Sequence, residues 1–140
     1  MKIMICGSMT FSKEMLAAKE KLEKQGHIVK LPCDIDTHLE NSKLIDDLET
    51  DFEYCTKHNI MKTCMDTLTK SDAILVMNHR KNSINGYIGT ACLMEIGLAY
   101  YLGKKIFLLN PTPKPSEARW AHEIRIIGPT IINGDFAKVS

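Results

Sequence analysis

Four short apolar runs, separated by segments with helical spacing, constrain the fold of this chain more than any other feature of its sequence. The runs are Lys2–Cys6, His27–Leu31, Ala73–Met77 and Lys105–Leu109. Uninterrupted apolar runs of this length are typical of strands that are buried on both faces of a parallel sheet. A fifth strand, at an edge, is predicted over Pro129–Ile132. Because helical segments separate the runs, we expect an α/β fold: a Rossmann-like or flavodoxin-like, doubly wound sandwich with a five-stranded parallel sheet.

The helices are predicted from apolar residues that recur every three or four positions. The first helix takes Ser12 as its N-cap and stops at Gly26. Residues 33–41 are polar and are predicted to be irregular. Two further helical stretches follow, and residues 57–59 mark either a kink between them or the middle of one long helix. The face of the first of these stretches is formed by Leu44, Leu48, Phe52 and Cys55. Later helices are predicted over residues 90–102 and 116–126.

The composition predicts one cytoplasmic domain, residues 1–140. A chain with 44% hydrophobic residues can build a sizeable core. A formal net charge of +1 gives no overall electrostatic attraction to polymeric nucleic acid or to a membrane. The apolar N-terminal run is too short for a signal peptide. The five cysteines are an odd number without CxxC or metal-ligand spacing, so we expect reduced thiols, no metal and no cofactor. A small molecule is the partner that fits best.

The ligand site is predicted at the carboxyl ends of the strands. In an open doubly wound sheet, ligands bind there, at the point where the strand order reverses. The rule selects four loops, residues 7–11, 32–34, 78–89 and 110–115, which follow the first four strands in order. Gly7 and Ser8 begin the first of them, and small and polar residues are frequent in the loop after the third strand. That loop contains Ser83, Asn85, Gly86 and Tyr87 just before a helix N-terminus. Such a turn can hold an anion or sugar hydroxyls, and it lacks the Gly-Lys-Ser/Thr ending required for nucleoside triphosphate hydrolysis.

Glu95 is the carboxylate that the sequence singles out. It lies about one turn inside the predicted helix, within the small and apolar segment Ala91–Ala99. Glu95 is therefore either a functional group or a residue that stabilises the helix N-terminus by about 0.3–1 kcal/mol. Asp72, by contrast, begins its strand, so we expect it at the opposite edge of the sheet in a structural role.

These segments resemble the nucleoside 2-deoxyribosyltransferase-like family, which includes the 2′-deoxynucleoside 5′-phosphate N-hydrolases. The resemblance spans most of the chain. Its segments, in order, are Ile5–Ser8, Ser71–Val76, Gly86–Gly89, Glu95–Tyr100 and Gly103–Lys105.

The resemblance implies cleavage of an N-glycosidic bond of a nucleoside or nucleoside 5′-monophosphate. Glu95 would attack the anomeric carbon, and water or a second base would resolve the glycosyl intermediate, giving a hydrolase or a base-exchanging transferase. By position, Gly7, Ser8, Ser83, Asn85 and Gly86 would hold the sugar or its 5′-phosphate. Tyr87 and Phe11 either flank the nucleobase or pack locally. The family further implies a homo-oligomer, a dimer or higher, in which a neighbouring subunit completes the site.

The chain departs from the family pattern at the second carboxylate. The family aspartate on the helix before the third strand corresponds here to Cys64, and Asp66 lies two positions away on a different face. The Gly-Thr pair before the nucleophile becomes Ala91-Cys92. A non-catalytic nucleotide-binding or sensing module is therefore the main alternative, and hydrolysis of a dinucleotide or nucleotide-derived signal is a third hypothesis.

Overall fold

The computed structural model describes residues 1–140, apart from the side chain of Leu44. The strands are β1 (Lys2–Cys6), β2 (Ile28–Lys30), β3 (Ala73–Val76), β4 (Lys105–Leu108) and β5 (Thr130–Ile131). The α-helices are α1 (Ser12–Lys24), α2 (Ile35–Glu40), α3 (Leu48–Lys57), α4 (Ile60–Thr69), α5 (Thr90–Tyr101) and α6 (Ala121–Ile127). Short 3-10 helices occupy Met9–Phe11, Ser42–Ile45 and Phe136–Lys138.

All five strands are parallel, and their order across the sheet is β2-β1-β3-β4-β5. This is the flavodoxin-like order, which confirms the predicted fold class and puts β5 at an edge. The order reverses between β1 and β3, whose register pairs Cys6 with Val76. The two loops that follow these strands therefore begin side by side.

Alternate strand residues point to opposite sides of the sheet, so each face presents apolar side chains. Helices cover both faces. Ile3 and Ile5 enter one buried cluster together with Met15 of α1. Met4 and Cys6 enter a second cluster that includes residues of α4, α5 and α6. Among the described residues, no helix combines the length and the apolar character that crossing a membrane requires.

The segment after β2 is more regular than its polar sequence predicts. The prediction that residues 33–41 are irregular is wrong, because α2 occupies most of them. Asp34 and His38 hydrogen-bond one turn apart, at 3.1 Å, and Ile35 between them is buried. A helix of this length contains too few turns for apolar periodicity to reveal it.

Between α3 and α4 the chain bends. Asn59 has a left-handed backbone, with φ of 52°, so the region is a kinked pair of helices rather than one long helix. The predicted apolar face began with Leu44, whose side chain is outside the described residues, and α3 itself begins only at Leu48. Leu48 and Phe52 are 74% and 66% exposed, so this face does not enter the core.

Two helix starts also differ from the prediction. Ser12 is the first residue of α1 rather than its N-cap, since a 3-10 turn precedes it and the Ser12 hydroxyl donates to the carbonyl of Met9. The helix predicted from Ser116 begins only at Ala121. Before it, the Glu117 carboxylate accepts the backbone N–H of Lys114 and stabilises a turn instead.

Hydrogen bonds between the Asn78 side chain and the backbone of Asn110 join the loops that follow β3 and β4. The buried Asn78 side chain donates to the carbonyl of Asn110 at 2.7 Å and accepts its backbone N–H at 2.8 Å. Gly86 packs against these hydrogen-bonded loops with φ of +70°, and a Cβ there would lie 2.1 Å from the carbonyl oxygen of Pro111. Only glycine fits this close approach.

We expect Gly86→Ala to destabilise the protein by at least about 1–3 kcal/mol, because it adds backbone strain and a steric clash. Denaturant unfolding monitored by circular dichroism measures the change. Gly97→Ala is the matched control, since Gly97 lies in α5 with no atom within 4 Å of an added Cβ. The control is expected to be neutral or stabilising by up to about 1 kcal/mol. Equal stability of the two variants would contradict the role assigned to Gly86.

Candidate functional site

A cavity of about 780 Å³ opens at the carboxyl edge of the sheet, beside the point where the strand order reverses. Residues after β1, β2 and β3 line it, together with residues of α3, α4 and α5. Its volume falls within the roughly 300–1,000 Å³ of small-molecule sites. The cavity therefore occupies the position at which a doubly wound sheet binds its ligand.

Glu95 lines this cavity from α5. Its carboxylate lies within 4.8 Å of the thiols of Cys6, the last residue of β1, and Cys92, one turn earlier in α5. Burial raises the pKa of Glu95, the thiols of Cys6 and Cys92 lower it by hydrogen bonding, and the charge of Asp34 raises it. Burial is the largest of these effects. Glu95 is thus a desolvated carboxylate whose charged form the two nearby thiols favour.

The same environment acts on Cys6. Its hydrogen bond with Cys92, its complete burial and the Glu95 charge all raise the pKa of the Cys6 thiol. The thiol therefore keeps its proton and can donate it in a hydrogen bond. A metal ion held by Cys6, Cys92 and Glu95 would need the thiolate of Cys6, which this environment disfavours.

Asp34 is a second carboxylate of the cavity, and sequence reasoning did not assign it. It precedes α2 in the loop after β2, and its side chain is mostly buried. One of its oxygens lies 3.1 Å from Nε2 of His38, and that nitrogen is also 3.7 Å from Asp51 of α3. The Nδ1 atom of His38 is buried without a partner among the described residues. Three titratable side chains thus converge on one wall.

The resemblance implies a second carboxylate at the position of Cys64, and Asp34 lies close to that residue. Its carboxylate is within 4.8 Å of the thiol of Cys64, the residue at the position of the family aspartate. Asp66 instead pairs with Lys62 on the surface of α4 at 2.7 Å. A carboxylate therefore reaches the region of Cys64 from the loop after β2. The signal was available, since Asp34 follows a strand end and has His38 four residues later.

A tight turn brings a cation to the lining of the cavity. Asn82 and Ser83 both have positive φ, and Lys81 and Ile84 hydrogen-bond across them, as in the two-residue turns that join antiparallel strands. The Lys81 ammonium group donates to the hydroxyl of Ser8 at 2.8 Å. The ammonium group and the hydroxyl lie next to Gly7 and provide the positive charge and the hydrogen-bond donors that suit a small anion.

The structure separates the predicted site residues into two groups. Glu95, Gly7 and Ser8 line the cavity. The remaining substrate-binding predictions, Ser83, Asn85, Gly86 and Tyr87, are not among its lining residues.

Local contacts account for these four positions. Ser83 belongs to the tight turn, Asn85 accepts a hydrogen bond from Arg80 at 2.8 Å, and Tyr87 packs edge-on against Trp120. Phe11 likewise packs on His79, with ring centroids 4.8 Å apart. Contact of any of them with substrate stays a prediction. Asp72 lies at the opposite edge, where its carboxylate accepts the backbone N–H of Lys2 at 2.7 Å.

Comparison with known proteins adds one structure. No family model and no curated protein sequence matches this chain. A CMP N-glycosidase of Clostridium botulinum, BcmB, is similar in structure, with a TM-score of 0.46 and 17% sequence identity. The alignment covers 94% of this chain and 85% of that chain. We therefore infer the function of this chain from its own residues.

Glu95→Gln is expected to raise the melting temperature by a few degrees at neutral pH. The pKa of Glu95 is raised in the folded state, so folding favours the protonated side chain and the ionised form costs stability at higher pH. Glutamine removes that cost. The difference should shrink as the pH falls through the raised pKa.

Thermal unfolding between pH 4 and pH 8 measures this effect. Glu20→Gln, at an exposed position of α1, is the matched control and should leave the melting temperature unchanged. A Glu95→Gln variant that is less stable than the unsubstituted protein at neutral pH would show that the carboxylate is not a desolvated, costly group.

Proposed function

We propose that this chain cleaves the N-glycosidic bond of a nucleoside or nucleoside 5′-monophosphate, with Glu95 as the nucleophile. The observation that carries the proposal is that Glu95 and Asp34 line the same cavity. Glu95 lines it as a desolvated group, and Asp34 lies near enough for its charge to affect Glu95. Two carboxylates on opposite sides of a scissile bond are the arrangement that glycosidic cleavage requires.

The chemistry assigns different roles to the two groups. A Glu95 oxygen attacks C1′, the bond from C1′ to the base nitrogen breaks, and a glycosyl ester forms on Glu95. Water or a second base then attacks C1′ and frees Glu95. Because the carboxylate is poorly solvated, its negative charge stabilises the positive charge that develops on the sugar more than it would in water.

Asp34, in contact with His38, is the proton-transfer group of this proposal. The leaving base takes a proton as the C1′–N bond breaks, and an attacking water gives one up. His38 lies between Asp34 and Asp51, so a proton has more than one acceptor close to the reacting atoms. General acid and base groups of this kind contribute typically about 10²- to 10⁴-fold to the rate.

The walls of the cavity suit the parts of a nucleotide. Leu48, Phe52 and Met61 present an apolar surface from α3 and α4 that a nucleobase can cover. Lys81 and Ser8 offer an ammonium group and a hydroxyl that would hold a 5′-phosphate. The non-catalytic alternative rested on the missing second carboxylate, and Asp34 removes that reason for preferring it.

Glu95→Gln is expected to abolish release of free base, and Asp34→Asn to slow it by about 10²- to 10⁴-fold. The assay is chromatography of free base after incubation with a panel of ribo- and deoxynucleosides and their 5′-monophosphates. Asp66→Asn is the matched control and should leave the rate unchanged, because Asp66 pairs with Lys62 on the surface.

The pH profile separates the two possible roles of Glu95. A nucleophile must be ionised, so the rate should fall as the pH drops through the raised pKa of Glu95. If Glu95 were the acid, the rate would instead fall as the pH rises. Release of base at full rate by Glu95→Gln, or no release from any substrate of the panel, would refute the proposal.

Lys81→Met is expected to raise the KM for 5′-monophosphates by about 10- to 100-fold, the loss of one charge-assisted hydrogen bond. The KM for the corresponding nucleosides should change little. Arg80→Met is the matched control, since Arg80 is exposed and bonds Asn85 outside the cavity. Equal effects of Lys81→Met on nucleosides and monophosphates would show that Lys81 does not bind the phosphate.

A further inference from the structure

Two thiols lie in contact beside the cavity. The Sγ atoms of Cys33, in the loop after β2, and Cys64, in α4, are 3.1 Å apart although 31 positions separate them in the chain. Both are free thiols, and they differ in environment: Cys33 is exposed and Cys64 is 8% exposed. Neither thiol has a part in the glycosidic chemistry proposed above.

Two chemistries are open to a pair of thiols in contact, and they bring the sulfur atoms to different separations. A disulfide needs about 2.05 Å, so the sulfur atoms must approach by about 1 Å. Two thiolates bound to one tetrahedral zinc ion at about 2.3 Å would lie about 3.8 Å apart, so the present contact would have to open. A zinc ion would need both sulfur atoms as thiolates, and burial is the main effect that raises the pKa of the Cys64 thiol to about 12, so this environment favours a disulfide over a metal site.

We infer that Cys33 and Cys64 are a reversible redox pair that hydroperoxides oxidise to a disulfide. The Cys33 thiolate attacks the peroxide, the O–O bond breaks, and Cys33 becomes a sulfenic acid as an alcohol or water leaves. The Cys64 sulfur then attacks the Cys33 sulfur, the S–O bond breaks, and water leaves with the thiol proton. In total, two thiols and one hydroperoxide give one disulfide, one alcohol or water, and one water.

The environments of the two cysteines suit this order of events. Cys33 is open to an oxidant in solution. Burial is the main effect that raises the pKa of Cys64 to about 12, so Cys64 stays a thiol and is not the cysteine that attacks the oxidant. The exposed cysteine therefore reacts first and the buried one resolves it.

The disulfide would join two walls of the cavity. Asp34 directly follows Cys33, so drawing Cys33 toward α4 moves the Asp34 backbone as well. A displacement near 1 Å at a catalytic group can lower a rate by about 10²-fold. We therefore expect oxidation to lower the activity and a dithiol reductant to restore it. This effect on activity rests on the proposed function, whereas formation of the disulfide does not.

The test treats the full-length protein with hydrogen peroxide, blocks the remaining thiols with an alkylating agent and measures the intact mass. The expected result is a loss of two hydrogen atoms and of two alkylation sites, with a linked peptide that contains Cys33 and Cys64. Dithiothreitol should reverse the change. Cys33→Ser should abolish the linked species, whereas Cys55→Ser, at a partly buried cysteine, should retain it.

Three outcomes would overturn the inference: over-oxidation of Cys33 while Cys64 stays alkylatable, a disulfide that involves a different cysteine or a second chain, or protection of both thiols by added zinc alone. Because Cys33 is exposed, Cys33→Ser is expected to fold, so its result is interpretable. The mass measurement needs no activity. A failure of the glycosidic proposal therefore leaves this test intact.

Discussion

The central pairing of β1 with β3 is the constraint on which the rest of the molecule depends. Both strands are buried on both faces. Their register pairs Cys6 with Val76, the last residue of each strand, at the point where the strand order reverses. The chain must leave this edge in different directions after each strand, which opens the cavity. The same pairing brings the thiol of Cys6 to the carboxylate of Glu95. A change of register would separate the thiol from the carboxylate.

Burying an ionisable carboxylate opposes folding, and the structure offsets this cost only in part. The thiols of Cys6 and Cys92 lower the pKa of Glu95 and so favour its charged form, while the charge of Asp34 raises that pKa. Such an arrangement is poor for stability and useful for chemistry, because a carboxylate with little water around it interacts strongly with a developing positive charge. Leu48, Phe52 and Met61 keep the wall formed by α3 and α4 apolar and exposed.

The strands and the position of the site could be predicted because they depend on local signals. The apolar runs predicted the strands, the strand-end rule selected Gly7 and Ser8, and the small and apolar segment around Glu95 singled out that carboxylate. α2 was missed because a helix of six residues has no usable period. Asp34 lies in a loop that the strand-end rule selects, but its approach to Glu95 depends on how that loop packs against α4, which no local signal contains. Position 86 requires glycine because its backbone packs closely against Pro111, and no sequence pattern predicts that contact.

The central claim is that Glu95 bonds covalently to the sugar during turnover, and trapping that bond tests it most directly. The protein would be mixed with a 2′-fluorinated nucleoside 5′-monophosphate, whose glycosyl intermediate breaks down slowly, then quenched in acid, digested and mapped by mass spectrometry. The account predicts a sugar-phosphate ester on the peptide that contains Glu95, with release of one equivalent of base. Release of base with no adduct, or an adduct on another residue, would contradict it.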